Sequence, residues 1–108
     1  MENLEVAMGL IAGAGDSRGY CMEAIDFARS GEFDKAREAL GSAVSAMIET
    51  HEVQTQLIRD EMEDKGQPVS LLMVHAQDHL NLALIMRDIA DEFITLYERI
   101  SKLERNEV

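Results

Sequence analysis

Two histidines, a glutamine and an aspartate lie within five residues of one another in a stretch that is otherwise apolar. They are His75, Gln77, Asp78 and His79, preceded by the apolar run Leu71-Leu72-Met73-Val74. Polar and ionisable side chains are costly at dry positions unless each one finds a partner. Four of them this close together indicate a functional site rather than accidental placement.

Helical spacing places His75, Asp78 and His79 on one broad side of a helix, whereas Gln77 lies further round. Desolvation in a mostly dry cleft keeps an imidazole neutral, and a neutral imidazole is a competent nucleophile. Phosphoryl transfer depends mainly on in-line geometry and on stabilisation of the equatorial oxygens, and it needs few further catalytic groups. The pattern therefore suits phosphoryl transfer to a histidine, with Gln77 and His79 available as donors to the oxygens.

Three other interpretations stay open at this point. In the first, the two histidines are core residues satisfied by hydrogen bonds. In the second, they form a metal site with His51. In the third, the polar layer only fixes the register of an oligomer, a role that suits Asp78. The Glu-x-x-His signature of di-iron bundles is absent. His51 lies on an apolar stripe and is expected to be a hydrogen-bonded core histidine, or at most a residue that supports the site indirectly.

Composition describes one soluble globular domain over residues 1–108, rich in helix-forming residues, with a single proline and no tryptophan. The net charge of -11 argues against a nucleic-acid partner, which requires a basic surface. Cys21 is the only cysteine, so there is no disulfide framework, and we expect it to pack as a small apolar residue. The N-terminus carries no basic, signal-like segment, and we expect a cytoplasmic protein.

Two breaks, at Ser30-Gly31 and at Lys65-Gly66-Gln67-Pro68, divide the chain into three helices. Gly66 is expected to end the second helix and Pro68 to begin the third, which runs to about Lys102. The second and third helices have roughly 30 residues each, or about 45 Å at 1.5 Å per residue. The apolar positions of the second helix alternate at three and four residues: Phe33, Ala36, Leu40, Val44, Met47, His51, Thr55, Ile58 and Met62.

The first helix contains Gly9, Gly13, Gly15 and Gly19. Each glycine in a helix costs about 1 kcal/mol relative to alanine. We expect either a close approach to a neighbouring helix or a kink near Asp16-Ser17.

The third helix carries two apolar stripes. One has heptad-like spacing and consists of Leu71, His75, Asp78, Leu82, Ile85 and Ile89. The other consists of Ala76, His79, Ala83, Met86, Ala90, Phe93 and Tyr97. A three-helix protomer needs only one of them for its own core, so we expect the chain to self-associate with closed cyclic symmetry and the third helix at the centre.

The string Leu72-Met73-Val74-His75-Ala76-Gln77-Asp78-His79-Leu80 resembles the active-site helix of the lactose/cellobiose-type IIA components of the bacterial phosphoenolpyruvate-dependent sugar phosphotransferase system. Four further segments agree with that family: Met8-Gly9-Leu10-Ile11, Gly15-Asp16-Ser17-Arg18, Gly31-Glu32-Phe33 and His51-Glu52-Val53-Gln54-Thr55-Gln56-Leu57-Ile58. The resemblance covers essentially the whole chain.

The resemblance implies an all-α fold: an antiparallel three-helix protomer that assembles as a homotrimer of nine helices. It implies that His75 accepts a phosphoryl group from phospho-HPr and passes it to the cysteine of a IIB component, with Gln77 and His79 supporting the phosphoryl site. It also implies that Asp78 faces the trimer axis and helps to bind a divalent cation such as Mg²⁺. Three carboxylates near a dry axis repel one another, and a hard cation offsets that cost.

Two positions refine the resemblance. Ala76 is more similar to the cellobiose/chitobiose branch than to the lactose branch. Asn81 stands where the family commonly has methionine, beside the seam and next to the site. The expected sugar is therefore a β-linked disaccharide, cellobiose- or chitobiose-like rather than lactose.

Overall fold

The first helix ends in a turn that requires a glycine. In a computed structural model, which describes residues 2–106, α1 spans Glu2–Arg29. Met1 and residues 107–108, which belong to the predicted domain, lie outside the described residues. Gly31 has φ +80°, and its amide donates to the carbonyl of Ala28 (3.0 Å), while the amide of Glu32 donates to that of Phe27 (2.9 Å). These bonds satisfy the last carbonyls of α1, and a Cβ would be strained at this φ.

The second helix, α2, spans Phe33–Met62 and does not end at Gly66 as expected. Asp64 takes the left-handed conformation (φ 59°), and the amide of Lys65 donates to the carbonyl of Asp60 at 2.8 Å. Aspartate tolerates this conformation because its short polar side chain bonds locally. Gly66 is instead needed for close packing, since a Cβ there would lie 3.1 Å from the Cα of Glu61.

The third helix, α3, spans Leu71–Asn106, so it begins three residues after Pro68 and ends four residues beyond Lys102. The prediction that proline begins this helix is wrong. Ser70 caps it instead: its hydroxyl oxygen accepts from the amide of Met73 at 3.1 Å. A serine at this position satisfies one of the amides that the first turn of a helix leaves free.

The three helices form an antiparallel bundle that extends over 64 × 21 × 20 Å, and the described residues contain no strand. This confirms the predicted all-α protomer. α1 packs along both α2 and α3, which meet each other less extensively. Most of the buried apolar residues are alanines; the larger ones are Leu10, Cys21, Ile25, Met47, Leu80 and Ile94. Small core residues let the helix backbones approach closely.

The buried face of α2 overlaps the predicted stripe only in part, at Ala36 and Met47. Its buried residues are Ala36, Ala39, Ala43, Met47 and Thr50. Other members of the predicted stripe are exposed: Val44, His51, Ile58 and Met62. The prediction followed the large apolar residues, whereas the interior of this bundle is lined by alanines.

One of the four α1 glycines explains the contact between α1 and α2. A Cβ on Gly13 would overlap Thr50 Oγ1 and lie 3.1 Å from Thr50 Cβ. One turn further on, the buried hydroxyl of Ser17 donates to the carbonyl of Ala43 at 2.8 Å. The expected close approach is thus confirmed at Gly13, and α1 continues as a helix through Ser17.

α3 exposes a continuous row of large apolar side chains on the side that faces away from α1 and α2. Its members are between 41 and 62% exposed: Leu82, Ile85, Ile89, Phe93, Leu96, Ile100 and Leu103. The row continues the seam predicted from His75 and Asp78, while Ala76, Ala83 and Ala90 of the other stripe are fully buried in the protomer. No helix within residues 2–106 is long and apolar enough to cross a membrane.

Candidate functional site

His75 and His79 contact each other on the outer surface of α3. Their Nε2 atoms are 3.1 Å apart, and the rings meet edge to face at 85° with centroids 4.6 Å apart. The pair forms because residues four apart on a helix are neighbours, and both rings extend from the second and third turns after the Ser70 cap. The structure therefore brings together two of the predicted site residues within one protomer.

The short contact between the two Nε2 atoms fixes how they share a proton. In a neutral imidazole, one ring nitrogen donates and the other accepts. Of two facing nitrogens at this distance, one carries a hydrogen and the other offers its lone pair. Each ring thereby sets the tautomer of the other, so one Nε2 of the pair is kept unprotonated and able to act as a nucleophile.

The surroundings of the pair differ from the mostly dry cleft that was predicted. His75 is exposed in the protomer and His79 is only partly buried. The neighbouring Val74 is 46% exposed. A cleft around His75 must therefore be completed by another molecule, whether a second copy of the chain or a protein that docks on it.

Gln77 does not point toward the histidine pair. Its Oε1 accepts from Gln54 Nε2 of α2 at 2.7 Å, and its Nε2 lies 3.8 Å from Met73 Sδ. The side chain is partly buried and lines a cleft of about 220 Å³ formed with Leu57, Pro68 and other residues of the α2–α3 connection. Residues two apart on a helix lie on different faces, which explains this placement.

Asp78 and His51 make no side-chain hydrogen bond to the pair in the part of the chain that the structure describes. Asp78 is exposed on the same surface of α3 as the apolar row that begins at Leu82. His51 is exposed on α2, and its carbonyl accepts from the hydroxyl of Thr55 at 3.1 Å. Within residues 2–106, no three His, Cys, Asp or Glu side chains of one protomer converge on a point that would hold a metal. A histidine metal site built from His51 and the pair is therefore not formed in the protomer.

Gln54 is a residue of the site region that sequence reasoning placed only next to His51. Its side chain reaches Gln77 across the α2–α3 interface. The available signal was weak, because the predicted stripe members one turn before and one turn after Gln54, His51 and Ile58, are exposed. Correct assignment of the buried face, through Met47 and Thr50, places Gln54 one turn beyond it.

The chain resembles known proteins along nearly its whole length. Residues 5–98 match the family described as "PTS system, Lactose/Cellobiose specific IIA subunit". The lichenan-specific phosphotransferase enzyme IIA component of Bacillus subtilis is 40% identical over 98 residues, which is 91% of this chain and 89% of that protein. The N,N'-diacetylchitobiose-specific EIIA component of Escherichia coli K12 is 38% identical, over 89% of this chain and 83% of that one.

Solved structures agree with these relatives. The cellobiose-specific enzyme IIA from Bacillus anthracis superposes with a TM-score of 0.91 at 36% identity, over 94% of both chains. A structure of the chitobiose IIA protein in complex with HPr superposes with a TM-score of 0.82 at 35% identity, over 94% of this chain and 98% of that one.

Proposed function

Since the chain belongs to the lactose/cellobiose-specific IIA subunits of the phosphotransferase system, we propose that it relays a phosphoryl group on His75. The group comes from phospho-HPr and passes to the cysteine of a IIB component. The observation that carries the proposal is the exposed imidazole pair, with the Nε2 atoms of His75 and His79 at 3.1 Å. A relay histidine must be accessible to two proteins in turn, and His75 is exposed.

The geometry favours Nε2 of His75 as the attacking atom. Nε2 is the outer ring nitrogen, and a proton on His79 Nε2 leaves the lone pair on His75. As the phosphoryl group approaches, the hydrogen bond from His79 to Nε2 of His75 breaks and frees the lone pair. The new P–N bond to His75 then forms as the P–N bond of the donor histidine breaks, and the proton on His75 Nδ1 stays in place. The N–H of His79 is then close enough to donate to a phosphoryl oxygen, where it stabilises the charge of the transition state.

The second transfer uses the same geometry in reverse. A cysteine thiolate of the IIB component attacks the phosphorus, a P–S bond forms, and the P–N bond to His75 breaks. The electron pair returns to Nε2, which again accepts from His79. Gln77 as a further phosphoryl-binding group stays a prediction, since its amide contacts α2 and Met73 within the protomer.

The partners follow from the family. A relative of known structure was solved in complex with HPr, which supports phospho-HPr as the donor. Relatives are named for lichenan, cellobiose, chitobiose and lactose, which supports a β-linked disaccharide as the sugar that the system takes up, with cellobiose- or chitobiose-like sugars preferred over lactose. We propose that the protein is cytoplasmic. There it meets phospho-HPr and the IIB component directly, and it is linked to the membrane only through the transporter.

The exposed row on α3 supports a homotrimer around this helix. A protomer with an alanine-rich core leaves seven large apolar side chains of α3 between 41 and 62% exposed in one row. Contiguous apolar surface of this extent marks an association site. A threefold arrangement of α3 buries the row and places the neighbouring subunit beside His75.

Asp78 fits a divalent cation in such a trimer. Its carboxylate is exposed at the seam, so a threefold axis there brings three carboxylates together. Carboxylate oxygens are the ligands that Mg²⁺ prefers. When bound, the ion supplies positive charge that offsets the repulsion among the three Asp78 side chains, and it takes no part in the transfer step.

Transfer of label from phosphoenolpyruvate through the general phosphotransferase proteins tests the relay. We expect wild-type protein to take up one phosphoryl group per chain and His75→Ala to take up none, with unchanged helicity and oligomer size. His51→Ala, which removes another exposed histidine, is the matched control and should label normally. Undiminished labelling of the His75 variant would rule out the assignment.

His79 is tested in the same assay. We expect His79→Ala to label about a hundredfold more slowly, because it removes a donor that stabilises the transition state. Formation of the phosphohistidine at Nδ1 rather than Nε2, identified by NMR, would contradict the proposed geometry.

A further inference from the structure

A glutamine pair joins α2 to α3 directly behind the histidine site. Gln54 Nε2 donates to Gln77 Oε1 at 2.7 Å, and both side chains are partly buried. Gln77 lies between His75 and His79 in sequence, so the bond holds the same helical turn that carries the imidazoles.

The buried contacts of this part of α3 are apolar. The buried residues nearest to the site are Ala76 and Leu80, whose apolar packing is non-directional. The other polar link from α2 to α3 runs from Arg37 to Asp91 and Glu98. Asp91 is 14 residues from Gln77, or about 21 Å along the helix.

We propose that Gln54 and Gln77 are positioning residues that lock the rotation of α3 and so aim His75 at the incoming phosphoryl group; the inference rests on the proposed function. The bond is directional and short, and its partial burial shields it from competing water. It therefore adds a directional restraint to the non-directional apolar packing of this part of α3.

The effect of losing the lock follows from the geometry of a helix. The outer nitrogen of a histidine lies about 6–7 Å from the helix axis, given a Cα radius of about 2.3 Å. A rotation of about 10° then moves the nitrogen by about 1 Å. A displacement of that size takes a nucleophile out of near-attack geometry and slows transfer.

The lock and the direct-donor role of Gln77 make different predictions, and a double-mutant cycle separates them. If the bond is a lock, Gln54→Met and Gln77→Met each break the same restraint, and the double variant is no slower than the slower single variant. If Gln77 binds the phosphoryl group directly, Gln77→Met slows transfer while Gln54→Met does not.

The experiment measures single-turnover phosphorylation of the full chain by phospho-HPr. We expect each single variant to lower the maximal rate about three- to tenfold with an unchanged KM for phospho-HPr, because one buried hydrogen bond is lost. Gln56→Met is the matched control: Gln56 is exposed on the same helix and bonds only along it, to Asp60, so its rate should match wild type.

Two further measurements distinguish positioning from a general loss of structure. Gln54→Glu removes the amide donor of Gln54 but offers a carboxylate that accepts from Nε2 of Gln77 once the Gln77 amide turns over. It should restore at least half of the rate lost in Gln54→Met, with Gln56→Glu as the control for added charge. The ¹⁵N shifts of the His75 and His79 ring nitrogens should move toward those of unconstrained imidazoles in Gln54→Met and return in Gln54→Glu.

Specific outcomes would overturn the inference. They are a normal rate in Gln54→Met, rate losses that multiply in the double variant, or no rescue by Gln54→Glu. Because wild-type protein still labels on His75 in each of these cases, such a failure is distinct from failure of the relay itself.

Discussion

Gly13 sets the distance between α1 and α2, and its replacement by alanine tests the packing that positions the site. An added Cβ would overlap Thr50 Oγ1 and lie 3.1 Å from Cβ and 3.2 Å from Cγ2 of Thr50. Thr50 is only 8% exposed, and its hydroxyl donates to the carbonyl of Ala46 at 3.4 Å, so it has little room to turn away. The helices must therefore separate.

The expected magnitude is the difference between two effects. Overpacking of this kind costs about 1–3 kcal/mol. Alanine in place of glycine within a helix returns about 1 kcal/mol. We expect Gly13→Ala to lower the free energy of unfolding by up to about 2 kcal/mol, or the melting temperature by up to roughly 10 °C.

Gly41→Ala is the matched control, because a Cβ at that position in α2 meets nothing within 4 Å. It should raise the melting temperature, since only the helix-propensity gain applies. Melting is followed by circular dichroism at one fixed protein concentration, because association shifts apparent stability. Thr50→Ala should recover part of the loss in the Gly13 variant. Equal stabilisation by Gly13→Ala and Gly41→Ala would refute the reasoning.

Three further outcomes are expected. Asp78→Leu should give a trimer that is no less stable than wild type, because packed apolar groups often stabilise an interface more than buried charges do. Sedimentation and melting of this variant should not change when a chelator is added. Dissociation to monomers would contradict the prediction. Arg37→Met should lower the free energy of unfolding by at most about 1 kcal/mol in urea titrations, because the Arg37 side chain is 43% exposed. The difference from wild type should shrink in high salt, which screens the ion pairs. A loss of stability that persists in high salt would contradict this prediction. Burial raises the pKa of the Cys21 thiol above its ordinary value of 9.0, so the unfolded chain loses the thiol proton first and the free energy of unfolding should fall as pH rises through 9. Cys21→Ala should flatten this dependence of stability on pH in urea titrations. An unchanged pH dependence in the variant would exclude the thiol as its cause.

The boundaries of the helices show where sequence signals competed. Both predicted breaks are present, and at the first of them Gly31 takes a left-handed conformation (φ +80°) that favours glycine. Asp64 replaced Gly66 as the left-handed residue, and Ser70 replaced Pro68 at the start of α3. Several residues in the second connection are able to end or begin a helix, and the choice depends on how the connection packs against Glu61.

The buried face of α2 shows a second kind of limit. Periodicity of large apolar residues identifies an apolar stripe but not the partner that covers it. In this chain the alanines face the protomer core, and large residues such as Ile48 and Ile58 remain exposed. On α3 the two stripes predicted two covered surfaces without assigning either to the protomer core, and the structure assigns Ala76, Ala83 and Ala90 to that core.

The chain alone determined the three helices and the pairing of His75 with His79, because both follow from residue spacing along a helix. It also determined the family, through a string of residues that covers the active helix. Tertiary structure alone decided that Gln77 is held by Gln54, that His51 faces solvent, and that Gly13 is the glycine α2 packs against. These are contacts between residues distant in sequence, and they depend on the rotation and separation of helices, which no local pattern specifies.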